Sequence, residues 1–451
     1  MHGAAISPWT MSYFAASLLS LATALLLMAF GFGFPSAPVE AADTLVVVHL
    51  LTIGWLGLLF SGALLQFVPV LVAAPARLPA VAGPALALVA CGLASLLAGF
   101  LGLGGRIGAD PLILAVGAVL LILGFGGLIA SFATTILSVT TVDLSGRLVL
   151  TGLSAFALTI ALGAAMAFSF AGLSMPLLDN LVAEGKPFHA ALGGFGWMTV
   201  VAVGVSYRLF SMFMLAPEGV RASSRWVLGL ALAALTALVA AAAMTAAVIS
   251  GVPVLLAMAL LTAAAAIGIY LFDIAAIYRA RRRKQLELNS IAGIAAAGFL
   301  PVALSMLAFS MLSGDPSFYS AVAYYLLGLG WLSGLGLAQL YKIVPFLTWM
   351  ENYGPVMGRA PVPRVQDLVD ERHGGRLFVV WFGAVAAGAV ALLAGSTVAF
   401  RLASLCQLFA VGGLMVEYGR ARCLAYAPES LRHPDGGKRP RLIFPLMRMK
   451  E

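Results

Sequence analysis

From Pro111 to Val142 the chain reads PLILAVGAVLLILGFGGLIASFATTILSVTTV, without one charged side chain. A run of that length sits stably only in hydrocarbon. About 20 apolar residues cross a bilayer core as a helix. In lipid every backbone N–H and C=O must be bonded within the protein, which leaves helices and closed barrels as the spanning forms. The apolar residues here are continuous and do not alternate, so the run reads as helix. Comparable runs fall at about 11–32, 44–72, 80–104, 111–139, 148–175, 188–215, 227–249, 252–278, 290–313, 319–346, 377–396 and 398–418. Twelve spans are expected, in one polytopic domain over 1–451. The break between the last two is thin, only Gly395 and Ser396. Met1 to Thr10 lacks the basic stretch of a cleavable signal, so the first run reads as a membrane helix.

Composition agrees. Soluble domains carry about 25% charged residues, whereas this chain carries 10%, with 62% hydrophobic. The net charge of +8 follows the loops and signals no nucleic acid. Arg77, Arg147, Arg221, Arg225, the cluster Arg279–Lys284, Arg359, Arg364, Arg372 and Arg376 all follow even-numbered spans. A basic tail, 419–451, continues the series. Loops after odd spans hold Glu40, Asp43, Asp110, Asp179, Glu184 and Asp315, with Arg106 and Lys186 as their basic residues. The positive-inside rule then places both termini in the cytoplasm, in a bacterial-type inner membrane. The basic cluster would meet anionic lipid. Cys91, Cys406 and Cys423 share no close spacing, so neither a disulfide framework nor a paired-cysteine metal site is indicated.

Three segments align on a Gly-Trp pair: HLLTIGWLGLLFSGALLQFVPVL at Trp55, HAALGGFGWMTVVAVGVSYRLFSMF at Trp197 and AYYLLGLGWLSGLGLAQLYKIVPF at Trp331. The tryptophans lie 142 and 134 residues apart, which is four spans each time. Eleven residues after each stands a polar side chain: Gln66, Arg208 and Lys342. Similarity at a fixed period marks duplicated architecture, so three four-helix repeats are expected over about 11–139, 148–278 and 290–418. His49 lies six residues before its tryptophan and His189 eight before; Tyr324 and Tyr325 stand in the third repeat. Two residues of offset turn a helix by about 200°, so the histidines share a depth and differ in facing.

Twelve spans, cytoplasmic termini and a quartet repeated three times resemble subunit I of the haem-copper oxidase superfamily. The motif H…GW…G…P is similar to segments of its divergent branches: cbb3-type oxidases, nitric oxide reductases and NnrS-like proteins. The resemblance implies haem b ligation at His49 and copper ligation at His189; in this chain the His49 haem would be paired with Tyr324, Tyr325, a methionine or water, or left five-coordinate. It also implies respiratory electron donors or membrane subunits as partners. The departures are plain. The seventh span lacks the family's His-His pair, AYYLLGLGW lacks His-x-His, and Gly193 stands where the sixth-span tyrosine belongs. Oxygen reduction of the usual kind is not expected. Electron transfer, nitric oxide response or haem and copper handling are.

The same residues admit other readings. An ionisable group in a span is a functional-site hypothesis, yet His49 could simply bond a neighbouring helix, and His189 lies near the wet interface. Met175, Met258, Met306 and Met311 could offer thioethers to Cu(I) or only fill the core. Arg208 and Lys342 could line a carboxylate-binding constriction or snorkel to headgroups. Asp273 could relay protons or pair with a nearby arginine. Two rival functions follow: a transporter of a small anion or metal ion, or a non-catalytic partner of a respiratory complex. His2, His373 and His433 read as solvated surface.

Overall fold

The computed structural model describes residues 7–173, 179–217, 223–434, 437 and 440–441. His2, Met175, Arg221, Lys438 and Arg439 lie outside the described residues. Among those described, the chain is helical throughout, with no strand. Twelve helices are long and apolar enough to cross a membrane. They are α1 (Thr10–Ala29), α2 (Ala42–Leu71), α3 (Pro79–Leu103), α4 (Leu112–Ile136), α5 (Leu144–Phe170), α6 (Lys186–Met214), α7 (Ser224–Ala246), α8 (Val252–Arg279), α9 (Leu288–Leu312), α10 (Pro316–Asn352), α11 (Glu371–Leu393) and α12 (Thr397–Arg422).

Polar side chains set several of the ends. Asp143 accepts from the Gly146 amide at 2.7 Å before α5 and Asp315 from Phe318 at 3.0 Å before α10. Asp370 accepts from Arg372 and His373 before α11. Such caps satisfy amides that have no partner inside the helix. The thin break between α11 and α12 is a true turn. Gly395 takes φ +65°, a left-handed conformation that glycine adopts without a Cβ clash, and Ser396 caps α12 through the Ala399 amide.

Consecutive spans pair as hairpins, most closely α3 with α4, α7 with α8 and α11 with α12, and α1 packs on both α2 and α12. Buried side chains cover 61% of the most apolar stretch of α2 and of α6 and 72% of that of α10, against 11% for α8. The second, sixth and tenth spans therefore form the interior. Leu261, Val379 and Phe409 are among the large apolar side chains left on the outside, as a lipid solvent allows.

The three inner spans share a local distortion. Leu50–Gly57, Leu192–Thr199 and Leu326–Ser333 are π-helical, with the wider turn that such bonding gives. In each, the tryptophan is the sixth of eight residues, and Trp55, Trp197 and Trp331 are all buried. At the glycine before each tryptophan another span presses close. A Cβ on Gly54 would meet Ser20 of α1 at 2.7 Å, one on Gly196 Leu235 of α7 at 2.8 Å, and one on Gly330 Phe299 of α9 at 2.6 Å. Two segments carry the same extra hydrogen bond from eighth residue to third: Thr199 to the Gly194 carbonyl at 2.8 Å, and Ser333 to the Gly328 carbonyl at 2.6 Å. In the first segment the corresponding residues are Gly57 and Thr52, and no hydroxyl is available. There Trp55 Nε1 donates instead to Ser333 Oγ at 2.7 Å, joining α2 to α10.

Close approach also decides α5 against α6. A Cβ on Gly152 would collide with Val201 and lie 3.1 Å from the Trp197 carbonyl, whereas one on Gly412 of α12 would meet nothing within 4 Å. Gly152→Ala is expected to lower stability by ~1–3 kcal/mol through overpacking. Gly412→Ala should be neutral or stabilising by up to ~1 kcal/mol through helix propensity. Thermal unfolding of the two detergent-purified variants compares them, and equal effects would contradict the packing.

Candidate functional site

The last residue before the first π segment is His49. Its Nδ1 lies 2.8 Å from the Leu45 carbonyl one turn earlier. A carbonyl only accepts, so Nδ1 carries the proton and Nε2 keeps its lone pair. The ring rests on Phe100 of α3, centroids 5.0 Å apart. His189 repeats the arrangement from another helix. Its Nδ1 lies 3.1 Å from the Thr159 carbonyl of α5, and it reaches that carbonyl over Gly163, whose Cβ would come within 2.7 Å of the imidazole. Neither Nε2 has a hydrogen-bond partner among the described residues. Donation of Nδ1–H to a carbonyl is the outer contact that orients metal-ligating histidines.

Both imidazoles line one cavity of about 1400 Å³, to which every span except α11 contributes. Cavities for drug-sized ligands run to about 1,000 Å³, so this one is large. Its walls are mostly aliphatic and aromatic, and Trp197, stacked on Phe156 at 3.4 Å, forms part of them. Glu40 and Lys186 stand at the rim, ion-paired at 3.2 Å. Lys186 is the only Lys or Arg among the lining residues. Its hydrogen bond and charge hold the Glu40 carboxyl below the usual range. Nearby, Arg106 bonds Asp43 at 2.7 Å. Both basic residues of the loops after odd spans are thus neutralised.

The two tyrosines separate. Tyr324 lines the cavity beside Phe195, and its hydroxyl has no hydrogen-bond partner among the described residues. The ring of Tyr325 also reaches the cavity wall, but its hydroxyl accepts from Gln407 Nε2 of α12 at 2.6 Å and sits over Gly388 of α11. Of the pair, Tyr324 presents a free polar head. The methionine reading also shifts. Met258 and Met311 are exposed, and of the three that are described only Met311 reaches the cavity. Met28, Met166 and Met198 line it instead.

Arg208 and Lys342 do not line the cavity. Arg208 lies exposed on α6. Lys342 is turned inward: its Nζ lies 2.7 Å from Glu287, whose carboxylate also takes Arg283 and Gln366. Snorkelling to headgroups therefore does not describe it. Asp273 is fully buried and accepts from Tyr207 at 2.9 Å and Ser223 at 2.6 Å. The ring of Tyr207 stands 5.6 Å from that of Tyr270. Tyr270 bonds Ser206 at 2.8 Å and lines the cavity. A series of hydroxyls thus leads from the arginine-rich face to the cavity wall. His373 lies 3.9 Å from Glu417, half-exposed at the same face.

Among the described residues no three His, Cys, Asp or Glu side chains converge. The donor set is two neutral imidazoles and one phenol. That set does not fit a three-histidine copper centre. It does fit a haem, whose macrocycle supplies four nitrogens and needs only axial ligands and an apolar slot. No signal in the sequence marked Thr159 or Leu45, because both contribute a main-chain carbonyl. No family model matches the chain and no curated protein matches its sequence.

The Glu287 carboxyl is pushed up by burial, but the hydrogen bonds and charges of Lys342 and Arg283 outweigh this and hold it below the usual range. A depressed carboxyl stabilises the fold above its unfolded pKa of about 4.3. That stability is lost as pH falls through the lower, folded value. Lys342→Met should destabilise by less than the ~3–5 kcal/mol of a fully stranded buried charge, because Arg283 and Gln366 remain. Adding Glu287→Gln should recover part of the loss in a thermal melt at neutral pH. A double variant no better than the single would refute the pairing.

Proposed function

We propose that this chain is an integral membrane haem protein, built like subunit I of the haem-copper oxidases, which holds one haem b in its central cavity through His49. The observation that carries this is the state of His49: Nδ1 fixed on the Leu45 carbonyl, Nε2 free, in an apolar cavity of about 1400 Å³. The three π segments in equivalent register on α2, α6 and α10 support the threefold repeat. The collection of Lys and Arg in the loops after even-numbered spans supports cytoplasmic termini in a bacterial-type cell.

Within this reading the protein's work is to orient the imidazole and to exclude water. Bound there, the iron supplies one-electron chemistry. Electron transfer, nitric oxide response or haem and copper handling fit that capacity. Full oxygen reduction does not, because no histidines stand on α7 or α10 to complete a second metal centre. The transporter reading loses its vestibule, since Arg208 lies on the exterior and Lys342 is engaged by Glu287.

Protein purified in detergent should show a Soret band that shifts on dithionite reduction, and a pyridine haemochromogen spectrum of b type. His49→Ala should lose most of the haem while keeping its elution volume in size exclusion. A colourless wild-type protein from haem-replete cells would refute the proposal.

A further inference from the structure

Resting on that reading, we infer that His189 is the second axial ligand, so that one iron joins α2 to α6 through two imidazoles. Four observations converge. First, His189 is prepared as His49 is: Nδ1 is committed to a main-chain carbonyl and Nε2 is left over. A neutral imidazole in that state is ready to bind a metal without losing a proton. Second, the rings line the same cavity.

Third, the two imidazoles break register: His189 stands eight residues before its tryptophan where His49 stands six before, a difference of about 200° around a helix. Gly163 then leaves room for the imidazole against α5. Fourth, the rivals are weaker. The Tyr325 hydroxyl is held by Gln407. The Tyr324 hydroxyl is free, but a phenol must lose its proton to ligate well, and a bare phenolate is costly in an apolar cavity. Toward the middle of the membrane α2 and α6 meet where Phe60 packs on Trp197, 6.2 Å between centroids. A shared iron would fasten their outer ends across the cavity.

The test uses the purified full-length holoprotein. Electron paramagnetic resonance of the ferric wild type should show a low-spin bis-imidazole signal, and the dithionite-reduced form should not bind carbon monoxide. His189→Ala should retain haem, become high-spin and bind carbon monoxide. Added imidazole should restore the low-spin spectrum. Should His189→Ala fail to fold, the wild-type resonance still decides, because imidazole–phenolate and imidazole–thioether irons give different signals. A wild type that is high-spin, or a His189→Ala protein with an unchanged low-spin spectrum, overturns the bis-imidazole inference while leaving haem binding intact. A colourless wild type overturns both.

Discussion

Hydrocarbon cannot hydrogen-bond a peptide group, and the rest of this structure follows from that constraint. An unpaired buried amide or carbonyl costs several kcal/mol in such a solvent, so the spans must be helical, and any departure from α-geometry must keep its groups bonded. Among the described residues the π-helical departures lie in the three innermost spans. The π segments keep intrahelical bonds while widening the turn, and in two of them a hydroxyl five residues on adds a bond to a carbonyl. The third segment of α10 is the hub. It touches the other two, and its Ser333 both receives Trp55 Nε1 and bonds Gly328.

Chemistry is layered along the inner spans as a consequence. At the rim the ion pairs Glu40–Lys186 and Asp43–Arg106 cancel charge locally. Next come the imidazoles, each with one nitrogen spoken for. The tryptophan layer lies below, with all three indoles buried. Beyond it, hydroxyls and carboxylates gather near the arginine-rich face around Asp273 and Glu287. Buried charge occurs only where partners are supplied in number, as a low dielectric demands.

The spans were legible in the sequence because the apolar runs are long and the solvent leaves one solution for them. Their ends were legible to within a few residues where charge or a cap marks the interface. The inner end of α10 shows the limit: apolarity alone stops it near 346, yet it runs to Asn352, because Thr348 and Asn352 are buried against other parts of the protein. The Gly-Trp alignment located the inner spans but gave no hint of π geometry, which reflects how neighbouring helices press on Gly54, Gly196 and Gly330. His49 and His189 were visible as residues out of place in hydrocarbon. Their tautomers were not, because Leu45 and Thr159 act through carbonyls that every residue owns. Adjacent tyrosines could not be told apart until Gln407 took one of them. Lys342 was misjudged between headgroup and constriction because its partner, Glu287, lies in a loop far away in sequence.

The three residues eleven past the tryptophans share one register on the three inner spans. Gln66 bonds Thr10 at 2.6 Å, Arg208 lies on the exterior, and Lys342 is locked to Glu287. One register has thus met three fates, although each residue stands on α-helix nine residues past the end of a π segment. Helix geometry constrains where a backbone goes; side-chain chemistry is constrained only by what shares the space it enters. A metal site in such a scaffold is therefore recognised by convergence in space, and equivalence in register is a poor guide to it. His49 and His189 break register and meet in one cavity, whereas the strictly aligned Gln66, Arg208 and Lys342 do not meet at all.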